Sequence, residues 1–83
     1  MEPVRLRFSK SSRKHRIGKA RVIFVLENNK PEFIFTEEVI QVWWLAPDNR
    51  GVELEILAIL EDDVICVIHV MPSRYRKGKK WPK

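Results

Sequence analysis

The chain has one cysteine, three glycines, one tyrosine and two histidines among its 83 residues, and nowhere the roughly 18 consecutive apolar residues that a membrane-crossing helix needs. Each scarcity excludes something. A lone cysteine, Cys66, cannot close an internal disulfide; within the apolar run Val64 to Met71 it reads as a small buried hydrophobe in a reducing compartment. One cysteine with His15 and His69 makes no zinc site of known spacing, so no metal and no other cofactor is expected. Gly18, Gly51 and Gly78 stand far apart, which excludes a glycine-rich phosphate loop, and there is no nucleophile elbow or nearby Cys-His pair. The opening Met1-Glu2-Pro3 turns basic without an apolar leader, so the expected location is cytoplasmic, with no membrane partner.

What the chain does have is charge sorted by position. Residues 1–30 carry nine basic side chains against two acidic ones, a net +7. Residues 31–72 reverse the sign, with Arg50 alone against nine acids, −8, and residues 73–83 return to six bases and no acid, +6. Scattered lysines would only solubilise a surface. Blocks of them concentrate field, and phosphate backbones respond to local Lys/Arg density rather than to net charge. The partner expected from this is nucleic acid, RNA before DNA. The basic stretches lack the aromatic or leucine face with which a helix would insert into a lipid surface.

At this length one hydrophobic core is expected, and the composition, 45% apolar and 33% charged, is that of a globular domain. We expect a single domain over residues 1–76 and a basic tail over 77–83 that frays, because Ser73 to Lys83 has no aliphatic side chain. Val4 to Phe8 alternates apolar and basic residues and predicts a short strand. Ser9 predicts a helix cap before a short polar helix over Lys10 to Arg16, and Gly18 can cap the next element. Lys19 to Asn29 has both helical spacing and a β-branched run; it is expected to be helical, ended by Asn28-Asn29-Lys30-Pro31. Glu32 to Phe35 reads as a short strand or extended connection. Val39 to Leu45, Val52 to Leu60 and Val64 to Met71, separated by turn residues, predict an antiparallel meander. Adjacent Trp43 and Trp44 must point to opposite faces, one of them into the core.

Two clusters suit phosphate chemistry. Alternation along the last strand places His69 on one face with Ile65, Val67 and Met71, and the strand runs on into Arg74, Tyr75, Arg76 and Lys77. Histidine exchanges a proton near neutral pH, arginine clamps phosphate in a bidentate grip, and tyrosine stacks on a base. The bland alternative is a half-buried histidine with a backbone partner ahead of a solvated tail. Lys14-His15-Arg16 is the second cluster, and its residues equally suit a helix C-terminus.

Arg13-Lys14-His15-Arg16-Ile17 after Phe8-Ser9, the stretch from Trp44 to Glu55, and Val67-Ile68-His69-Val70-Met71-Pro72 resemble small bacterial toxins of the BrnT-like and RelE/ParE-like group. The resemblance covers about residues 4–76. It implies an α+β fold, with N-terminal helices packed on a small twisted antiparallel sheet and a disordered basic C-terminal tail. It also implies a metal-independent endoribonuclease that cleaves by 2′-hydroxyl attack and is neutralised by a small cognate antitoxin. Carried to this chain, His69 would transfer the proton, Arg74 and Arg76 would clamp phosphate, and Tyr75 would stack or transfer a proton. Lys14, His15 and Arg16 would line the approach, with Lys77 among the nucleic-acid contacts. Glu53 and Glu55 on the neighbouring strand would repel phosphate if they share the face of His69. A non-catalytic RNA- or DNA-binding module of the same fold, and a protein-interaction domain built on the acidic middle, are the alternatives.

Overall fold

The alternation of Arg5-Leu6-Arg7-Phe8 forms the first strand, β1 (Arg5–Phe8), of a computed structural model that describes residues 5–75. Val4, Arg76, Lys77 and the expected tail over 77–83 lie outside the described residues. Ser9 caps the next turn as its chemistry predicts, its side chain accepting from the Ser12 amide at 3.3 Å. The helix expected over Lys10 to Arg16 is shorter and tighter, a 3-10 turn over Lys10–Arg13. This polar stretch has no apolar stripe to pack, so nothing holds a longer helix, and the chain leaves through Arg16 in the left-handed region at φ 56°.

Gly18 opens the ten-residue helix α1 (Lys19–Asn28), and helical spacing wins over β-branching in the ambiguous segment because it buries Val22 and Val25 together. Two asparagines end the helix by turning their side-chain amides back onto its carbonyls. Asn28 donates to the Phe24 oxygen at 2.8 Å and Asn29 to that of Val25 at 3.0 Å. Four strands follow: β2 (Glu32–Phe35), β3 (Ile40–Pro47), β4 (Glu53–Glu61) and β5 (Val64–Pro72), and then a 3-10 turn over Ser73–Tyr75. Gly51, at φ 80°, is the residue that the β3–β4 turn requires without a side chain.

The sheet order is β1-β5-β4-β3-β2. The expected antiparallel meander is present in β3, β4 and β5, with β2 added antiparallel at one edge. At the other edge β1 runs parallel to β5, so the sheet is mixed rather than antiparallel throughout, and the expected pair of N-terminal helices reduces to one α-helix. The fold is α+β and mostly sheet.

One face carries the core. Val42 and Trp44 of β3, Leu54, Ile56 and Ala58 of β4, and Val67 and Val70 of β5 are buried in one cluster with Ile17, Val22 and Val25. The two tryptophans divide as expected. Trp44 is core, while Trp43 stays half-buried on the other face, its indole N–H donating to Gln41 at 3.0 Å.

Strict alternation fails in β5. Leu57 faces His69 whereas the next residue, Ala58, faces Val67, so Ile68 is left over as a β-bulge. The bulge moves His69 and Met71 to the face opposite Ile65 and Val67, which corrects the expectation that all four share one face. Ile68 keeps its carbonyl satisfied through the Ser11 hydroxyl, which donates to it at 2.7 Å. The second face is mixed and open among the described residues: Trp43, Leu57, Ile59, Cys66 and Met71 are half-buried and Leu45 is exposed, alongside Gln41, Glu55 and His69. Cys66 thus faces this open side, not the core.

Candidate nucleic-acid interface

The last 3-10 turn and the loop after the first one meet. The His15 ring stands edge-on to Tyr75, with centroids 5.6 Å apart and planes at 73°, and the Arg74 guanidinium lies 5.4 Å from the centre of the same phenol ring. Tyr75 keeps 48% of its surface exposed between these two neighbours. Lys14 and Arg16, which flank His15, are exposed, as is Arg74. The ring contact joins residues 60 positions apart and brings the basic Lys14-His15-Arg16 stretch to the turn that carries Arg74.

Next to this patch is an open-mouthed groove of about 420 Å³ between the first 3-10 turn, the start of α1 and β5. Phe8, Ile17, Val22 and Val70 give it an apolar floor, and Arg13, Arg16 and Lys19 stand around it. The Lys19 ammonium sits 5.4 Å from the Phe8 ring centre, and no acidic side chain lines the space. Of these residues sequence reasoning singled out only Arg16 as a site. Bases spaced by three at positions 13, 16 and 19 were the available signal, yet only folding carries β1 and β5 beneath them.

His69 is placed differently. Its Nε2 lies 2.9 Å from Oε2 of Glu55, a carboxylate that is buried although it belongs to the open face. Glu53, two residues before, accepts a hydrogen bond from the Ser73 hydroxyl at 2.6 Å. No hydrogen bond, ion pair or ring contact joins His69 to His15, Arg74 or Tyr75 among the described residues. The predicted site residues accordingly split: His15, Arg74 and Tyr75 meet, exposed Lys14 and Arg16 flank His15 in the chain, and His69 pairs with an acid. A third of the His69 side chain is exposed. Arg76 and Lys77 are outside the described residues.

Asp48 clasps α1 to the β3–β4 turn. One carboxylate oxygen accepts from Arg21 Nε at 2.6 Å, and the other from the amides of Arg50 at 2.8 Å and Val52 at 3.0 Å. Burial, the largest single influence on this carboxyl, pushes its pKa up. The Arg21 hydrogen bond, the two amides and the Arg21 charge together outweigh that and hold the net value below the usual aspartate range. The clasp therefore ties α1, the helix that carries Lys19 and Val22, to the β3–β4 turn.

Among the described residues no group of three or more His, Cys, Asp or Glu side chains is placed to hold a metal ion, and no helix is long and apolar enough to cross a membrane. No protein-family model matches the chain, and no curated protein or solved structure matches it either.

Proposed function

We propose that this chain is a nucleic-acid-binding module that takes single-stranded RNA across the Tyr75 patch. The observation that carries the reading is the Tyr75 ring held open between His15 and Arg74, which joins the basic N-terminal segment to the basic C-terminal one. An exposed ring gives a stacking platform for any unpaired base, while Lys14, Arg16 and Arg74 meet the phosphates on either side, with Arg76 and Lys77 extending the same charge along the chain. Unstacked bases are commonest in single-stranded RNA, which is why RNA is preferred to duplex DNA.

The test is affinity as a function of salt, with Tyr75→Ala beside the parent. About four to eight phosphate contacts give a steep fall in affinity as salt rises, since each releases a counterion. Tyr75→Ala should weaken binding by about 1–3 kcal/mol, the scale of one stacked base, while the salt slope stays unchanged. Affinity that ignores salt, or no binding to any RNA at low salt, sinks the reading.

A second reading is favoured by the His69–Glu55 pair. In the RelE/ParE and BrnT toxin reading, with helices packed on the sheet, the chain is a metal-independent endoribonuclease. His69 accepts the 2′-hydroxyl proton, the 2′-oxygen bonds to the adjacent phosphorus, and the bond to the 5′-oxygen breaks; that oxygen takes a proton to leave as a hydroxyl. This reading requires Arg74 and Arg76 to reach the charged phosphorane, and Tyr75 to stack or transfer a proton, from a patch that makes no contact with His69 among the described residues. A small cognate antitoxin would then cover the open face around Leu45 and Leu57. The Glu55 carboxylate beside His69 opposes phosphate approach, and this ranks binding ahead of cleavage.

A further inference from the structure

A surface that only attracts phosphate has no use for an apolar hollow, and the groove beside the Tyr75 patch is one. We propose that this groove receives one unstacked nucleotide of single-stranded RNA, the base lying on the Phe8, Ile17, Val22 and Val70 floor and the phosphate meeting Arg13, Arg16 and Lys19. The inference rests on the RNA-binding reading and deepens it, because it makes the chain selective for unpaired nucleotides.

Four features support it. The volume, about 420 Å³, lies within the range of small-molecule sites, about 300–1,000 Å³. The floor is apolar, with the half-buried Phe8 ring as its accessible part, which suits a flat base, and Val22 and Val70, each only 1% exposed, lie beneath and pack it from behind. The charged residues lining it are all cations, which suits a phosphate and excludes an acidic occupant's opposite, a cationic ligand. Arg16, next in the chain to His15, belongs to the groove while His15 touches Tyr75, so two adjacent residues link the Tyr75 contact to the groove. Arg16 is held in its left-handed conformation by its amide donating to the Arg13 carbonyl at 3.0 Å, which sets the direction in which its side chain leaves the backbone.

Gly18 permits a clean test. A β-carbon added there meets nothing within 4 Å, and its backbone at φ −67° accepts any residue, so Gly18→Leu adds a bulky apolar side chain at a residue that lines the groove and leaves every charge in place. The measurement is fluorescence anisotropy of a labelled uridine oligomer and of a blunt RNA duplex, with Gly18→Ser as the control of similar size to the parent. Gly18→Leu should lose about tenfold or more in affinity for the single strand, the scale of one base contact, with the duplex unaffected and Gly18→Ser like the parent. Unchanged single-strand affinity in Gly18→Leu, or an equal loss on the duplex, overturns the groove while leaving RNA binding intact. A parent chain that binds neither RNA overturns both. Independently of any variant, a 4-thiouridine oligomer irradiated on the parent should crosslink at Phe8 or Lys19; crosslinks confined to residues outside the groove overturn the proposal.

Discussion

Replacing Asp48 with alanine tests the clasp that holds α1 against the β3–β4 turn. The side chain of Asp48 is wholly inaccessible and makes three hydrogen bonds, from Arg21, Arg50 and Val52. Hydrogen bonds to a charged acceptor contribute about 1.5–3 kcal/mol each, and removing one partner of a buried ion pair costs about 3–5 kcal/mol. Arg50 is exposed and the Arg21 side chain is 20% exposed, so water recovers part of the loss. We expect Asp48→Ala to cost about 3 kcal/mol, or roughly 12–24 °C in Tm for a domain of this size. Asp48→Asn keeps one oxygen for the two turn amides but turns an amide N–H2, a donor, toward the Arg21 donor, so it gives up both the charge and the Arg21 bond and about two-thirds of that cost is expected. Because the folded pKa of Asp48 is lowered, its contribution is fully present above the ordinary aspartate value of about 3.9 and is lost as pH falls through the folded value. The gap between the parent and Asp48→Asn should therefore close in acid. Urea unfolding followed by far-UV circular dichroism, repeated from neutral pH to about pH 3, measures both effects. A cost below about 1 kcal/mol for Asp48→Ala, or a gap that ignores pH, would refute the reasoning.

Two further predictions concern β5. His69→Gln keeps an amide within reach of Glu55, so stability should fall by less than about 1.5 kcal/mol and RNA affinity should hold, while any metal-independent RNA cleavage by the purified chain should vanish on a denaturing gel. Loss of binding in that variant would place His69 in the interface instead. Deleting one residue from an ordinary strand turns every later side chain to the wrong face, but deleting Ile68 only removes the bulge and leaves Val67, His69 and Val70 on their present faces. The variant should still unfold cooperatively, about 1–3 kcal/mol less stable for want of the Ser11 bond and the lost packing; a chain without a cooperative transition contradicts the register.

Much of the architecture was legible because it depends on neighbours. Ser9 caps three residues ahead, Asn28 and Asn29 bond four residues back, and alternation from Leu54 to Leu60 exposes the core face of β4 in the sequence itself. The bulge was not legible, since Val67-Ile68-His69-Val70 contains no glycine or proline to mark a break, and one extra residue exchanged the faces of His69 and Val70. Glu55 reads as a surface residue of an alternating strand, yet packing beside His69 buries it.

The sequence by itself determined the α+β class, the helix over α1, the meander and the separation of charge into basic ends and an acidic middle. Each follows from interactions that span a few residues or from composition alone. The tertiary structure decided the parallel pairing of β1 with β5, the meeting of His15 with Tyr75, the clasp of Arg21 by Asp48 and the groove over Phe8 and Val70. Those contacts join residues 27 to 62 positions apart, and closing such loops costs nearly the same entropy for many alternative partners. Which partners meet is settled only when one register buries the core face of the sheet and the others do not.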